Sequence, residues 1–518
     1  MFDLGTSFLA ATERDPDATA IVDGDVRLSY LQWYRRISTM AARLKASGLS
    51  RGDHVVTALQ NRWEAATIHW ACQFLGLIVT PVNWRAKAEE IDFFLRDSDA
   101  RLLVVEAVSR EAGAGPAADL GIALVDLDAA EGFVEEDPAA PDVLPEAGAE
   151  EWSLMLYTSG TTGNPKGVPR RHRAERAGAI AHVAQNTYRC GERTLGVMPL
   201  YHTMGVRSLL SMSLVGGTFV CLPRFDAARA LEIIEAEKLT CLYLVPTLYH
   251  DLLHHPRFAE TDIGSVEYLG FAGASMTDGL LAALQNAFRP KLFVNHYGSS
   301  EIYTFTINQD APAKPGSAGR AALNQRIRIA RLGLGDPEAT AAPGEEGEVI
   351  ASLAGDEAFD GYWKRPDADA KALRGGWYFT GDSGYFDADG DLFVTGRVDD
   401  MIITGGENVS PVEIESCLSL HPDVLDVAVA GLPDERWGRI VAAFVIARGN
   451  VTAQTLDAHC RSSGLANFKR PRRYVFLEEL PKSPVGKLLR RKLVAGDYRT
   501  TEPRPEVRPV DNQEIQSS

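Results

Sequence analysis

The segment Tyr157 to Val168, YTSGTTGNPKGV, gathers hydroxyl groups, glycines and a lysine behind the apolar run Leu154, Met155 and Leu156. A strand feeding such a loop suits a polyphosphate. Gly160 and Gly163 let the backbone approach and turn N–H groups toward anionic oxygens, Thr158, Ser159, Thr161 and Thr162 add donors, and Lys166 adds positive charge. Lys166 follows Pro165 and not a glycine at the required spacing, so this is not a GxxxxGK[ST] loop. Four more segments follow in order: YGSSE (Tyr297 to Glu301), YFTGD (Tyr378 to Asp382), GRVDDMIITGGENVSPVEIE (Gly396 to Glu415) and PKSPVGK (Pro481 to Lys487). Asp382 offers two acceptor oxygens suited to a vicinal diol, and Gly486 and Pro484 set Lys487 on a loop with reach.

These residues need a scaffold, and the flanking sequence alternates strand and helix signals. Ala20 to Val22 and Val26 to Leu28 flank Asp23-Gly24-Asp25 as a hairpin, and Ser29 caps a helix carrying Trp33, Ile37, Met40, Ala41 and Leu44 toward Gly48. Val55 to Ala58 reads as a strand, Glu64 to Phe74 as a helix and Ile78 to Val82 as the next strand, which predicts a parallel α/β sheet. Glu106 to Glu150, rich in Ala, Gly, Asp, Glu and Pro, reads as a peripheral excursion without chemistry. Further strands are expected at Thr194 to Pro199, Thr218 to Leu222, Cys241 to Val245, Tyr268 to Phe271 and Gly347 to Ser352. A boundary falls near Val398 to Asp400, before a compact α+β segment, and the final EPRPEVRPVDNQEIQSS reads as disordered.

A chain of 518 residues exceeds what one core usually organises, and 45% hydrophobic residues allow large cores. The net charge of -17 argues against a nucleic-acid partner, so any phosphate site must be built from local Lys and Arg. Neither a signal peptide nor a membrane span is legible, and the scattered cysteines, with no CxxC, read as reduced thiols of a cytoplasmic protein. Asp387, Asp389 and Asp391 lie in a turn whose spacing does not match a calcium loop; His254-His255 reads as a surface pair, and Cys190 and Cys460 as packed thiols.

From about Phe8 to about Val494 the ordered motifs resemble the adenylate-forming superfamily of acyl-CoA synthetases, luciferase-like enzymes and peptide-synthetase adenylation domains. FAGASM (Phe271 to Met276), GRVDDMIITGGEN and RSSGLANFKRPRRY (Arg461 to Tyr474) make the resemblance greatest to the 4-chlorobenzoate-CoA and benzoate-CoA ligase group. The resemblance implies an α/β fold, with a large N-terminal ATP- and acyl-binding domain of stacked sheets and helices at 1–398, a small mobile α+β domain at 399–498 and a tail at 499–518. It implies ATP, Mg2+ and CoA as cofactors and a small carboxylic acid as substrate.

The resemblance also assigns roles. Thr158 to Gly163 and Lys166 would cover the phosphates, Glu301 would bind Mg2+ with Ser299 and Ser300 nearby, and Tyr297 and the Gly273-Ala274-Ser275 turn would flank the adenine. Asp382 would hold the ribose hydroxyls, Arg397 would assist, and Lys487 would bridge carboxylate and α-phosphate. Asp399 matches the hinge about which relatives rotate their C-terminal domain. Gly405, Gly406, Glu407 and Asn408 would pass the pantetheine arm, with Trp437, Phe468, Arg470 and Arg472 at the CoA nucleotide. His202, Ala272, His296, Gly298, Tyr303 and Thr304 would line the acyl slot, where His296 and Tyr303 depart from the aliphatic and Met side chains of chlorobenzoate ligase.

The leading expectation is therefore an ATP-dependent CoA ligase for an aromatic or heteroaromatic acid. Alternatives are a short- or medium-chain fatty acyl-CoA ligase, an adenylation enzyme loading a carrier protein, and a nucleotide-binding protein without catalysis. A homodimer and a protein acetyltransferase acting on Lys487 complete the partners this reading carries, with no nucleic acid and no membrane.

Overall fold

The computed structural model describes residues 2–130, 133–158, 165–398, 401–404, 407–482 and 488–501. The N-terminal part is built on two large sheets. In the first, strands Thr19–Asp23, Thr218–Cys221, Arg193–Gly196, Cys241–Leu244, Tyr268–Phe271 and Leu292–Tyr297 run parallel in that spatial order. Beyond Leu292–Tyr297 the sheet turns antiparallel through Thr306–Asn308, Ser317–Ala321, Leu392–Arg397, Trp377–Phe386, Gly347–Ser352 and Ile327–Ala330. The strand–helix alternation thus gives parallel neighbours up to Leu292–Tyr297, and the strands after it pair antiparallel.

The second sheet orders Ala123–Asp126, Leu102–Val105, His54–Ala58, Ile78–Pro81 and Trp152–Thr158 as parallel neighbours, closed by the antiparallel edge strand Lys166–Arg171. Its central strands His54–Ala58, Ile78–Pro81 and Leu102–Val105 are buried throughout, as covering helices require, whereas the edge strand Ala123–Asp126 is not. The first hairpin and helix form as their residues dictate: Ser29 caps helix Tyr30–Ala46 in a reciprocal box with Gln32, and its apolar face buries Trp33, Ile37, Met40, Ala41 and Leu44. Trp33, Phe8, Trp70 and Phe74 meet in an aromatic cluster between helices.

The stretch from Glu106 to Glu150 is more than an excursion. It contributes helix Arg110–Leu120 and the strand Ala123–Asp126 at the sheet edge, and then wraps helix Tyr30–Ala46, whose Tyr34 hydroxyl donates to the Val143 carbonyl at 2.8 Å. Asp387, Asp389 and Asp391 converge on the ammonium of Lys314, at 2.5, 2.9 and 2.5 Å. That turn is thus held from within the protein by Lys314, with Arg320 adding a second cation at Asp391. Cys460 is buried, but Cys190 is exposed and not packed.

From Ile402 onward a three-stranded sheet of Val424–Asp434, Gly438–Ala447 and Arg473–Phe476 carries separate apolar clusters on its two faces, with helices Pro411–Ser419 and Ala453–Ser462 on one and Leu493 on the other. This is the small α+β domain after the large α/β one. Among the described residues no helix is long and apolar enough to cross a membrane.

Candidate active site

The carboxyl ends of the parallel strands are where open α/β sheets place ligands, and two of the predicted segments, Ala272 to Ser275 and Gly298 to Glu301, sit there. Strand Tyr268–Phe271 runs into Ala272 and the exposed Gly273-Ala274-Ser275 turn, with Gly273 at φ 82°. Its parallel neighbour Leu292–Tyr297 runs into Gly298, Ser299, Ser300 and Glu301. Gly298 has a local reason to be glycine: a Cβ there would lie 2.0 Å from the Tyr303 carbonyl oxygen.

The Tyr297 hydroxyl donates to Asp382 Oδ2 at 2.7 Å, and Arg397 Nη1 lies 2.9 Å from the other oxygen, Oδ1. Asp382 and Arg397 face each other across adjacent antiparallel strands. Burial first, and then the Asp382 carboxylate, push the Tyr297 phenol well above its ordinary value, so it stays a proton donor. The result is an oriented carboxylate beside an aromatic ring.

Glu301 is 5% exposed and fixed from several sides. Its Oε1 accepts the Tyr362 hydroxyl at 2.6 Å, its N–H donates to Ser299 Oγ at 3.2 Å, and its carbonyl accepts from Arg170 Nη1 at 2.8 Å. The Lys166 ammonium lies 4.1 Å from the centre of the Tyr362 ring. Burial pulls Lys166 below the usual lysine value, partly offset by Glu301. Lys166 starts the edge strand, paired with Thr158. The Trp363 N–H donates to the Gly167 carbonyl at 2.9 Å and ties the Tyr362 segment to that strand. A hard divalent cation fits here, since Glu301 supplies a carboxylate oxygen and substrate phosphates would complete the shell.

His202 is the residue before helix Thr203–Leu214, and its backbone N–H donates to the Pro199 carbonyl at 2.9 Å. Asn61, buried, fixes the approach to it, donating to the Gly196 and Met198 carbonyls at 3.0 and 2.6 Å and accepting the Leu200 N–H at 3.1 Å. Tyr303 and Thr304 belong to a buried ionic network. The Tyr303 hydroxyl donates to Glu175 Oε2 at 2.9 Å, Arg170 donates to Glu175 Oε1 at 2.8 Å, and Arg170 and Arg207 lie over the Tyr303 ring at 4.1 and 4.8 Å. Arg207 reaches Thr304 Oγ1 at 2.6 Å, and Glu357 accepts the Thr304 N–H at 3.2 Å. Tyr303 thus spends its hydroxyl inside the protein, on Glu175, and does not offer it to a ligand. His296 is buried against His182 and Tyr243, at ring distances of 4.9 and 5.0 Å.

In the C-terminal domain, Trp437 carries the guanidinium groups of Arg436 and Arg472 at 5.0 and 5.2 Å, while Arg470 is buried and paired with Asp457 at 3.1 Å. Phe468 is 37% exposed. Glu407 and the backbone of Asn408 lie on strand Glu407–Val409, paired with Ile402–Thr404. Lys482 and Leu488 form an isolated antiparallel bridge. Ser159, Gly160, Thr161, Thr162, Gly163, Asp399, Gly405, Gly406 and Lys487 lie outside the described residues. Sequence reasoning missed Tyr362, Asn61, Arg170, Glu175, Arg207 and Glu357, none of which belongs to a short motif.

Sheets of this order with a small α+β domain after them are those of adenylate-forming enzymes. The chain belongs to the AMP-binding enzyme family, whose model matches residues 8–363, with the AMP-binding enzyme C-terminal domain at residues 413–487. It is 36% identical over 506 residues to a 4-chlorobenzoate–CoA ligase of Arthrobacter sp, covering 96% of each chain. It is 33% identical over 488 residues to a long-chain-fatty-acid–CoA ligase of Mycobacterium tuberculosis, covering 93% of this chain and 95% of that one. Among solved structures, an anthranilate CoA ligase in complex with anthranoyl-AMP superposes with a TM-score of 0.88 at 27% identity, covering 96% and 97% of the two chains.

Proposed function

We propose that this chain is an ATP-dependent, AMP-forming acid–CoA ligase whose substrate is a small aromatic or heteroaromatic carboxylic acid. The observation that carries the reading is the Asp382 carboxylate held between the Tyr297 hydroxyl and Arg397, beside the loop on which Tyr362 and Arg170 hold Glu301. Asp382 would take the ribose hydroxyls and Tyr297 the adenine face. Lys166 would meet the phosphates, Glu301 would hold Mg2+, which neutralises phosphate charge when bound, and Lys487 would bring the carboxylate to the α-phosphate. The acyl-adenylate would then be presented to CoA by rotation of residues 399–498 about Asp399, with Trp437 and Arg472 against the CoA nucleotide. The cluster of Trp437 with Arg436 and Arg472 supports CoA over a carrier protein as the acceptor. Reduced thiols at all six cysteines support a cytoplasmic setting.

The reading is tested by pyrophosphate release from a panel of benzoate, hydroxybenzoates, 2-furoate, 4-chlorobenzoate and octanoate, with AMP followed with and without CoA. The expected result is the highest kcat/KM on an unchlorinated ring acid, with AMP release that requires CoA. Highest efficiency on octanoate would favour the fatty-acyl reading and contradict this one.

A further inference from the structure

The buried polar groups beside the acyl residues specify the substituent such an acid should carry. His296 is 2% exposed, and its Nε2 lies 3.2 Å from Asn186 Oδ1. The Asn186 amide is oriented from its other end, where Nδ2 donates to the His182 carbonyl at 2.8 Å and faces His182 Nδ1 at 3.2 Å. A carbonyl oxygen only accepts, so the amide nitrogen must lie on that side and the amide oxygen toward His296. The proton of His296 is therefore on Nε2. Burial, and Arg207 after it, keep the ring neutral, which leaves Nδ1 as a bare acceptor. This Nδ1 is buried and has no hydrogen-bond partner among the described residues.

Arg207 presents the opposite need. Its Nη1 donates to Thr304 Oγ1 at 2.6 Å and its Nη2 lies 3.4 Å from Glu357, but its Nε–H is buried without a hydrogen-bond partner among the described residues. Tyr243 packs its ring 5.0 Å from His296, and Arg207 lies near enough to His296 to disfavour its protonation. One cluster thus holds an acceptor lacking a donor and a donor lacking an acceptor. Charge narrows the choice. Arg170 and Arg207 are balanced by Glu175 and Glu357, all nearly inaccessible to solvent. A second carboxylate or a phenolate on the ligand would add an uncompensated buried charge and could not donate to His296 Nδ1. An apolar or methoxy substituent would leave the acceptor unmet. A neutral hydroxyl donates and accepts at once.

We infer that the acyl site selects an aromatic acid with a free hydroxyl, which donates to His296 Nδ1 and accepts from Arg207 Nε, making these two side chains its specificity determinants. The inference rests on the aromatic-acid ligase reading above. Its test is kcat/KM for pyrophosphate release by the full chain on benzoate, the three hydroxybenzoates, the matching methoxybenzoates and the matching benzenedicarboxylates. One hydroxybenzoate should exceed benzoate, its methoxy counterpart and its dicarboxylate counterpart by about 10²-fold or more, since sites built to bond a hydroxyl reject analogues lacking it. In His296→Leu the ratio of that hydroxybenzoate to benzoate should fall below about 10. Benzoate or a methoxybenzoate ranking equal to or above every hydroxybenzoate would overturn the inference while leaving the ligase reading intact, as would an unchanged ratio in the variant. No turnover of any aromatic acid would overturn both. The wild-type ranking is decisive without either outcome in the variant.

Discussion

Glu301 and Asp382 show how a carboxylate of the candidate site is oriented in this protein: each has a tyrosine hydroxyl on one oxygen, Tyr362 at 2.6 Å and Tyr297 at 2.7 Å. Tyr362→Phe removes the hydrogen bond that orients Glu301 without touching its charge. Adenylation should fall by about 10-fold or more and need more Mg2+, a partial version of the loss expected when a stabilising donor is removed. An unchanged Mg2+ titration of pyrophosphate release would separate Tyr362 from the site. For Tyr303→Phe the expected effect is on stability. The Glu175 carboxylate loses a buried donor, a loss typically worth about 1–3 kcal/mol, and an unaltered urea midpoint would contradict that. Lys487→Ala should abolish adenylation by about 10²–10³-fold while sparing thiolation of a supplied acyl-adenylate; equal loss in both half-reactions would refute the division. At this scale, residues inside short motifs were legible because side-chain type and neighbours state the chemistry. Tyr362 and Arg170 were not, since they reach Glu301 from 61 and 131 residues away.

Among elements, the antiparallel pair Trp152–Thr158 and Lys166–Arg171 shows where local reading stops. The strand Trp152–Thr158 was expected from its apolar run, but Lys166–Arg171 was hidden by Pro169 and two arginines. Both are tolerated because this is an edge strand, where a missing N–H costs little, and because Arg170 is paired with Glu175 in the interior. The capped helix Tyr30–Ala46 was fully legible, since its capping box and apolar stripe are local. The fate of Glu106 to Glu150 was not, because it is decided by contacts with a helix far away in sequence, including Asp137 N–H on Thr39 Oγ1 at 3.0 Å. The hinge assignment belongs to this scale as well. Asp399→Pro should leave acyl-adenylate formation near normal and slow transfer to CoA, because proline fixes φ and resists a backbone swing. Unimpaired thiolation in the variant would place the hinge elsewhere.

For the whole molecule, burial of neutral histidines sets an acid limit on stability. Burial depresses His54 and His172 to about 4 and His69 to about 3, and holds His182 and His296 well below 6.5. Their folded values lie below the unfolded value, so their neutral forms stabilise the fold above pH 6.5, and that contribution is lost as pH falls through this point toward 4. Each such histidine contributes a slope of up to about 1.4 kcal/mol per pH unit, so the urea midpoint should drop between pH 7.5 and about 5.5. A midpoint that holds or rises would contradict an acid limit set by these histidines. The two-part architecture itself was legible from the length and the ordered motifs, whereas the antiparallel half of the first sheet was not, because short strands of ordinary composition reveal their partners only in the fold. The central claim is that one chain performs both adenylation and transfer to CoA. The most direct measurement incubates the enzyme with Mg-ATP and its preferred hydroxybenzoate, identifies the bound species by mass spectrometry, and then adds CoA. The account predicts an acyl-adenylate with one pyrophosphate released per site, converted on CoA addition to acyl-CoA and AMP. No acyl-adenylate, or one that persists in the presence of CoA, would contradict it.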